Sequence, residues 1–591
     1  VWQVSVTLQC TGQAGGRRPN YLRKSGKMEK KTMNTGDIGV AAAVSRGIIS
    51  LTDKERFWEI TGRHGACWVS HSEFRTNEKG ALAKITRATG AALILASSIN
   101  RLKEEMERFD DYVEGHVARQ TGWVGDAFAF GNGEVSLPAE SAVPCIVAFE
   151  ADPRFSPSGS LEDWCRQVWP LLRNQPMLTF LAGVSMAPAL FRWVGADFLN
   201  PVVELHGEPM SGKSSALAFA ASIWAGNSAS TTGAAMSGDM TVNAIDQQRS
   251  TFSGMCLPID EAWNVTDPKA LSELVVRFVH GTSGSDSRKR HGDLKPPDAI
   301  RGSTVVTANL SLEEALHGLT PSRRQGVLSR VVSLQVSREA AAGSCTIFVA
   351  RPTEALDNKE AAAELMDAAR VNYGTAGPAF VRHIAEMAAK DPTGFHGRVS
   401  DAISHVRQDE ELALLGLDRR HLNTLALVET CVGLAREAGI LPSDSMPSRS
   451  MTHWVANALS GQTSSVRYEA DLVLSVRTFV QDSLKRFGNI DSKYLPDGRL
   501  ATRVPGFIDR DGRVLYVQRH VLDQHLQHLG VTAKALKKAG ILNLRASERN
   551  RVLTATPTRL LRYGFERRVY AIDLGKVGLR IQWGGAIESN G

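Results

Sequence analysis

Between Val202 and Trp224 the chain reads VVELHGEPMSGKSSALAFAASIW, an order of residues that few folds accommodate. A short apolar run (Val202, Val203, Leu205) stops at Gly207, and a loop without apolar periodicity follows. After Ser214 the pattern turns helical, with Leu217, Ala220, Ala221 and Trp224 at three- and four-residue spacing. Strand, loop and helix are therefore expected in succession. The loop runs Gly207, Glu208, Pro209, Met210, Ser211, Gly212, Lys213, Ser214, with Ser215 behind it, and fits G-x-x-x-x-G-K-S/T at every fixed position. Its glycines permit a backbone that side chains would obstruct, so that N–H groups and the positive end of the following helix can meet phosphate oxygens. In such a loop the lysine, Lys213, reaches the β- and γ-phosphates, and the hydroxyl of Ser214 ligates Mg²⁺. The stretch predicts a nucleoside-triphosphate site.

Two more strands are expected downstream. Ser253–Glu261 (SGMCLPIDE) is an apolar run ending in two acids. A buried strand that delivers Asp260 at its carboxyl end puts this carboxylate beside the Mg²⁺ shell, and Glu261 then polarises the attacking water. Pro258 fits such a strand poorly, because proline removes a ladder donor. Gly302–Ala308 (GSTVVTA) closes on Asn309, whose amide is placed to position water or sense the γ-phosphate. Polar residues at the carboxyl ends of strands suit ligand binding outside an open α/β sheet. Farther on, Arg323, Arg324 and Arg330 precede another apolar strand. A guanidinium there can serve as a finger in a neighbouring subunit's site; Arg330 is favoured because it abuts the strand, with Arg323 and Arg324 as alternatives. The polar stretch Thr282–Pro297 carries Arg288, Lys289, Arg290 and His291, a basic cluster suited to gripping DNA phosphates in the pore of a ring.

Length and composition set the frame. The 591 residues, 43% of them hydrophobic, suit about three to four domains with proper cores. No apolar run approaches the roughly 18 residues of a membrane span. The opening VWQVSVTL alternates like a strand and lacks the order of a secretion signal. Seven cysteines without C-x-x-C spacing argue against a zinc ribbon or a disulfide framework and suit a reducing cytoplasm. The net charge of +7 is unevenly spread: residues 481–570 hold 18 Lys and Arg against 8 Asp and Glu. A polyanion is the expected partner of that region.

Along the chain, residues 1–150 read as an α+β accessory domain in which His64 and Cys67 lie close but lack further metal ligands. Within it Tyr112–Arg119 is expected as a helix, with Val113 and Val117 on one face. Gln120–Gly133 follows as turn, aromatic strand and hairpin turn. Residues 151–350 form the ATPase core, entered through the helical patterns Leu161–Leu172 and Met177–Val194, with Trp164 and Trp169 in the core. Residues 351–450 are helical, over Ala355–Ala369, Pro378–Ala389 and Leu422–Ala438, and end in a loose Ser- and Pro-rich linker at Pro442–Ser450. Residues 451–591 combine helices at Asp471–Phe487, His520–Leu529 and Ala533–Gly540 with the alternating strands Arg513–Gln518 and Arg567–Ile572. Helices plus a two-stranded, arginine-rich ribbon suggest a winged-helix-like DNA-binding region.

The order of these motifs resembles the domain of unknown function 927 family, found in phage, plasmid and genomic-island replication proteins and similar to superfamily 3 and AAA+-like helicase ATPases. The stretches that carry the resemblance are Arg119–Phe130 (beginning RQTGW), Ser160–Trp164 (SLEDW), Ala187–Gly195, the phosphate loop with its ALAFAASIW helix, and Asn372–Phe380 (NYGTAGPAF); Arg568-Val-Tyr570 is a weaker match. The resemblance implies an α/β fold with a P-loop NTPase core, ATP and Mg²⁺ as cofactors, and a homo-oligomeric ring, a hexamer, that moves along or unwinds DNA at an origin. It places Gly207, Gly212, Lys213 and Ser214 on phosphates and metal, Asp260 and Glu261 on metal and water, and Asn309 as sensor. Any priming would come from another polypeptide, and a primase or an origin-binding protein is expected as a partner. Two other readings compete: a nucleotide-switched origin-binding or regulatory DNA-binding ATPase without unwinding, and a protein-remodelling ATPase.

Overall fold

The structure, a computed structural model, describes most of residues 42–589. Residues 1–41, 283–299, 339–344, 350–356, 461–472, 490–503, 529–535, 543–553, 556–567, 582–586 and a few scattered positions lie outside the described residues. The Val4–Leu8 strand, the basic cluster Arg288–His291 and most of the Ala533–Gly540 helix fall among these. The chain divides into two units, one with residues 42–47 and Arg56–Tyr112, the other with Ile48–Glu55 and everything from Val113 onward.

The smaller unit contains the antiparallel hairpin Arg56–Thr61 and Ala66–Ser70 and the helices His71–Thr76, Glu78–Thr89 and Ala96–Arg108. Ser70 and Asn77 accept backbone N–H bonds at the starts of the first two helices, as short polar side chains do at an N-cap. Trp58, Ile60, Val69, Ile85, Leu102 and Met106 build its core. Cys67 is half-buried, and burial pushes its thiol up to about 11, away from the thiolate a metal needs. No cluster of metal-ligating side chains exists among the described residues.

In the larger unit the central sheet consists of β1 (Val202–Gly207), β2 (Met236–Ser237), β3 (Cys256–Asp260), β4 (Ser303–Ala308) and β5 (Val332–Val336). All pairs are parallel and the order is β2-β3-β4-β1-β5. Strands covered on both faces are expected to be apolar throughout, and β4 is buried at every residue. Pro258 is accommodated because β2 pairs only with Ile259 and Asp260, leaving proline at a level where β3 is flanked by β4 alone. The lead-in helices are α1 (Leu161–Leu172) and α2 (Pro176–Met186). The helix after the phosphate loop is α3 (Lys213–Ser222), and α4 (Pro268–His280) and α5 (Pro321–Leu328) flank the later strands. A helical region follows: α6 (Asn358–Val371), α7 (Ala376–Lys390), α8 (Pro392–Arg407), α9 (Arg419–Glu437) and α10 (Ser448–Ser460). Every residue of α2 is buried, as its all-round apolar sequence demands, between α3, α9 and α10.

The scattered motifs of the sequence meet at the far end of α3. Trp164 donates to Ser222 Oγ at 3.1 Å and Trp224 to the Ser185 carbonyl at 2.8 Å. Phe128 stacks on Trp224, and the backbone N–H groups of Gly374 and Gly377 bond the carbonyls of Ser222 and Ile223. Aromatic groups with satisfied N–H donors thus clamp the helix that carries the phosphate loop.

Several expectations are corrected. Tyr112–Ala118 is a strand, not a helix, and pairs in parallel with Cys145–Val147. Gly115 disfavours helix, and a Cβ there would lie 2.7 Å from the carbonyl of Pro144, the residue before the adjoining strand. Trp169 is half-buried, not core, and its N–H donates to the Ile440 carbonyl at 2.9 Å. The 442–450 stretch is pinned, with Asp444 bonded to Arg173 at 2.5 Å and Ser445 to the Asn174 N–H at 3.1 Å. The expected two-stranded ribbon is part of a five-stranded sheet: β6 (Gly488–Asn489), β7 (Gly506–Ile508), β8 (Val514–Gln518), β9 (Thr554–Ala555) and β10 (Arg568–Asp573), ordered β6-β7-β8-β10-β9. Helix α11 (Arg519–His528) packs on β8 and β10. Among the described residues no helix is long and apolar enough to cross a membrane.

Candidate functional site

The carboxyl end of the central sheet opens into a cavity of about 660 Å³. One wall is the loop from β1 to α3, residues Pro209–Ser215. Gly207 enters this loop at φ +126°, where a Cβ would sit 2.4 Å from the Val336 carbonyl; no residue with a side chain fits. Gly212, at φ +88°, turns the chain into α3. Lys213 is buried and its ammonium donates to the carbonyls of Gly207 at 3.0 Å and Glu208 at 2.6 Å. Burial pulls its pKa down, while Asp260, Glu208 and Glu261 push back.

The acids sit across from the loop. Asp260 ends β3, and the Ser214 hydroxyl donates to its Oδ1 at 3.3 Å. Thr307, near the end of β4, also donates to Asp260 Oδ1 and accepts the Glu261 N–H at 3.2 Å. Glu261 lies at φ +55°, a left-handed conformation uncommon for a residue with a side chain, and lines the cavity with Asp260 and Asn309. One hydroxyl thus orients both acids. Spacing alone did not single out Thr307; its place one register step beyond the Ile259–Val306 pair is what puts it there.

Lys213, Ser214, Ser215, Asp260, Glu261 and Asn309 are therefore gathered into one cavity. Arg330 does not line it. Its guanidinium donates to the Gly326 carbonyl and faces a separate recess with Glu273, Arg277 and Arg323, and burial, then Arg420, lower its pKa. Arg323 pairs with Glu273 at 3.6 Å. Arg288, Lys289, Arg290 and His291 lie outside the described residues.

Two groups that the sequence did not mark complete the cavity. Arg338, just past β5, donates to the Pro209 carbonyl at 3.0 and 3.2 Å, and its side chain is exposed. It lies far from the loop in sequence and reaches it only because β5 pairs with β1. Ile347, Phe348 and Ala362 give the cavity an apolar lining, Ile347 and Ala362 beside Gly212. Glu204, in the middle of β1, is a buried carboxyl outside the cavity.

Residues 42–298 match the family model described as domain of unknown function (DUF927). That stretch contains the phosphate loop and both acids and stops before β4. A solved structure described as the SCCmec type IV Cch active helicase matches 92% of this chain and 95% of its own, at 16% identity and a TM-score of 0.62. At that identity the likeness is one of fold, here a helicase's mixed α/β fold. The apo NrS-1 C-terminal region matches 66% of this chain and 87% of its own at 9% identity and a TM-score of 0.24. No curated protein matches the chain.

Proposed function

We propose that this chain is a P-loop ATPase that translocates along or unwinds DNA, working as an oligomeric ring in the replication of a mobile element. The observation that carries the reading is the 3.3 Å approach of Ser214 Oγ to Asp260, with Lys213 and Glu261 in the same cavity. A hydroxyl and a carboxylate side by side form an oxygen pair suited to a hard divalent cation. Mg²⁺ held by Ser214 and Asp260 would neutralise charge on the β- and γ-phosphates of ATP.

The chain's own groups do the rest. Residues 207–215 wrap the phosphates with backbone N–H groups, and Lys213 turns its ammonium from its own loop carbonyls to phosphate oxygens. Glu261 takes the proton of the attacking water while Asn309 orients it. Arg330, directed away from its own cavity, serves the neighbouring subunit's γ-phosphate. The apolar surface of Ile347, Phe348 and Ala362 receives the base. Basic residues in the 481–570 region and at Arg288–His291 hold DNA phosphates.

Arg338 supplies a cation to the same phosphates from β5. Arg338→Ala is expected to raise the KM for ATP by about tenfold, the loss of one charge-assisted hydrogen bond of roughly 1.5 kcal/mol, and to change kcat less. Steady-state hydrolysis measures both; an unchanged KM removes Arg338 from the site.

The decisive experiment is strand displacement on a forked duplex, with ATP compared against a non-hydrolysable analogue. Displacement with ATP alone is expected. DNA binding that switches with either nucleotide, without displacement, would favour a nucleotide-gated DNA-binding factor instead. Hydrolysis indifferent to single- and double-stranded DNA would sink the motor reading.

A further inference from the structure

We infer that Glu204 is a positioning residue that holds the three segments following the water-activating acid, the sensor and the candidate finger in one fixed arrangement; this rests on the hydrolase reading above. Glu204 is fully buried in β1, opposite Val306 of β4 and Ser333 of β5. An apolar residue would be the ordinary occupant of such a strand, and a buried acid needs a hydrogen-bonding reason to be there. The reason is visible. Glu204 Oε1 accepts from the Trp263 indole N–H and from the Leu312 backbone N–H, each at 2.5 Å, and Oε2 accepts from the Ser333 hydroxyl at 2.5 Å.

Each donor belongs to a different functional segment. Trp263 lies two residues after Glu261, Leu312 three after Asn309, and Ser333 three after Arg330. Leu312 opens the short helix Leu312–Ala315, where Ser311 and Glu314 form a capping box. Its N–H is one of the first-turn donors that the helix itself does not satisfy. Glu204 takes it, fixing the direction in which the chain leaves Asn309. One acceptor shared by three segments ties their positions together, because no segment can move without breaking a buried bond. Glu204 does not line the cavity, so it acts through these neighbours and not on the nucleotide.

The test is steady-state ATP hydrolysis with DNA by the 591-residue protein and six variants, four single and two double. In Glu204→Gln the carbonyl accepts from Trp263 and Leu312 while the amide donates to Ser333, so kcat is expected to stay at the wild-type level. Glu204→Ala is expected to lose kcat by about 10- to 100-fold, the scale of a misplaced catalytic group, with KM for ATP nearly unchanged because the phosphate loop keeps its own donors. Trp263→Phe and Ser333→Ala should each lower kcat about threefold, and neither should lower it further on top of Glu204→Ala. A folded Glu204→Ala protein with wild-type kcat overturns the inference, as does a loss that appears equally in KM. If Glu204→Ala does not fold, Trp263→Phe decides: a kcat-specific loss supports the inference and wild-type kinetics overturns it. Wild-type protein without turnover would refute the hydrolase reading and this inference together. Equal turnover by wild type and every folded variant refutes this inference alone.

Discussion

Lys213→Ala protein is expected to lose ATP hydrolysis by at least about 10²- to 10³-fold, the usual scale for removing one preorganised charge-stabilising donor, while binding DNA with wild-type affinity. The ammonium is buried against the loop that would cradle the phosphates, 2.6 Å from the Glu208 carbonyl and 3.0 Å from that of Gly207. A donor already oriented there needs no reorganisation when charge develops on the transferred phosphoryl group, so its worth appears in kcat. DNA affinity should survive because the basic excess lies in another part of the chain, residues 481–570. Hydrolysis is measured with and without DNA, and affinity by fluorescence anisotropy on a labelled strand. Turnover within tenfold of wild type would mean that Lys213 does not face the phosphates. A parallel collapse of DNA binding would mean that the substitution has damaged more than the nucleotide site.

The parts of the site that were legible in sequence are those built from contiguous residues. The loop from Gly207 to Ser214 is one segment, so its glycines, lysine and serine announce themselves by spacing. Asp260 and Glu261 are legible because a buried strand ends where its apolar run ends. Thr307, Arg338 and Glu204 belong to a different category: each matters because a parallel neighbour delivers it, and pairing partners are not written in local spacing. Glu204 did leave a trace, a carboxyl inside the otherwise apolar run of β1, and such local inconsistencies are where functional positions are expected.

The misread elements have equally specific causes. Val113 and Val117 are four residues apart, and four is close to a helical turn yet also even, so the pair shares a face in either a helix or a strand. Gly115 between them was the better guide to the strand that forms. In the C-terminal sheet, β6, β7 and β9 are two or three residues long, too short for any period to show. Only β8 and β10, at five and six residues, could be read. The 442–450 stretch looked loose from its prolines and serines, but Asp444 and Ser445 among them carry the polar groups that bond it to Arg173 and Asn174.

Glu204's contribution to the stability of the larger unit should fall as pH rises from about 4.5 to about 7, and Glu204→Gln should remove that contribution while leaving the opposite one of His421, whose pKa burial lowers. Burial drives the Glu204 carboxyl from 4.5 up to about 7, against the Ser333, Trp263 and Leu312 donors that favour its charged form, with Glu314 adding repulsion. Below this window the group is protonated in the folded and the unfolded chain alike; above it, ionised in both. Within the window the folded protein holds a proton that the unfolded chain has released, so unfolding releases a proton and rising pH favours it. At about 1.4 kcal/mol per pH unit the window amounts to about 3 kcal/mol, with no discount for solvent because the side chain is fully buried. Glu59 in the smaller unit acts with the opposite sign: hydrogen-bonded by Arg46, its carboxyl is held low, and its contribution is present above the usual glutamate range and lost as pH falls. The two effects therefore separate along the pH axis. Glutamine is neutral throughout, so relative to wild type the Glu204→Gln protein should gain stability between pH 5 and pH 8 by about 3 kcal/mol, read as a shift of several degrees in melting temperature. A wild-type-to-variant gap that is the same at both pH values would show that the Glu204 carboxyl titrates alike in the folded and unfolded chain, and that the larger unit does not hold it in a dry, donor-lined site.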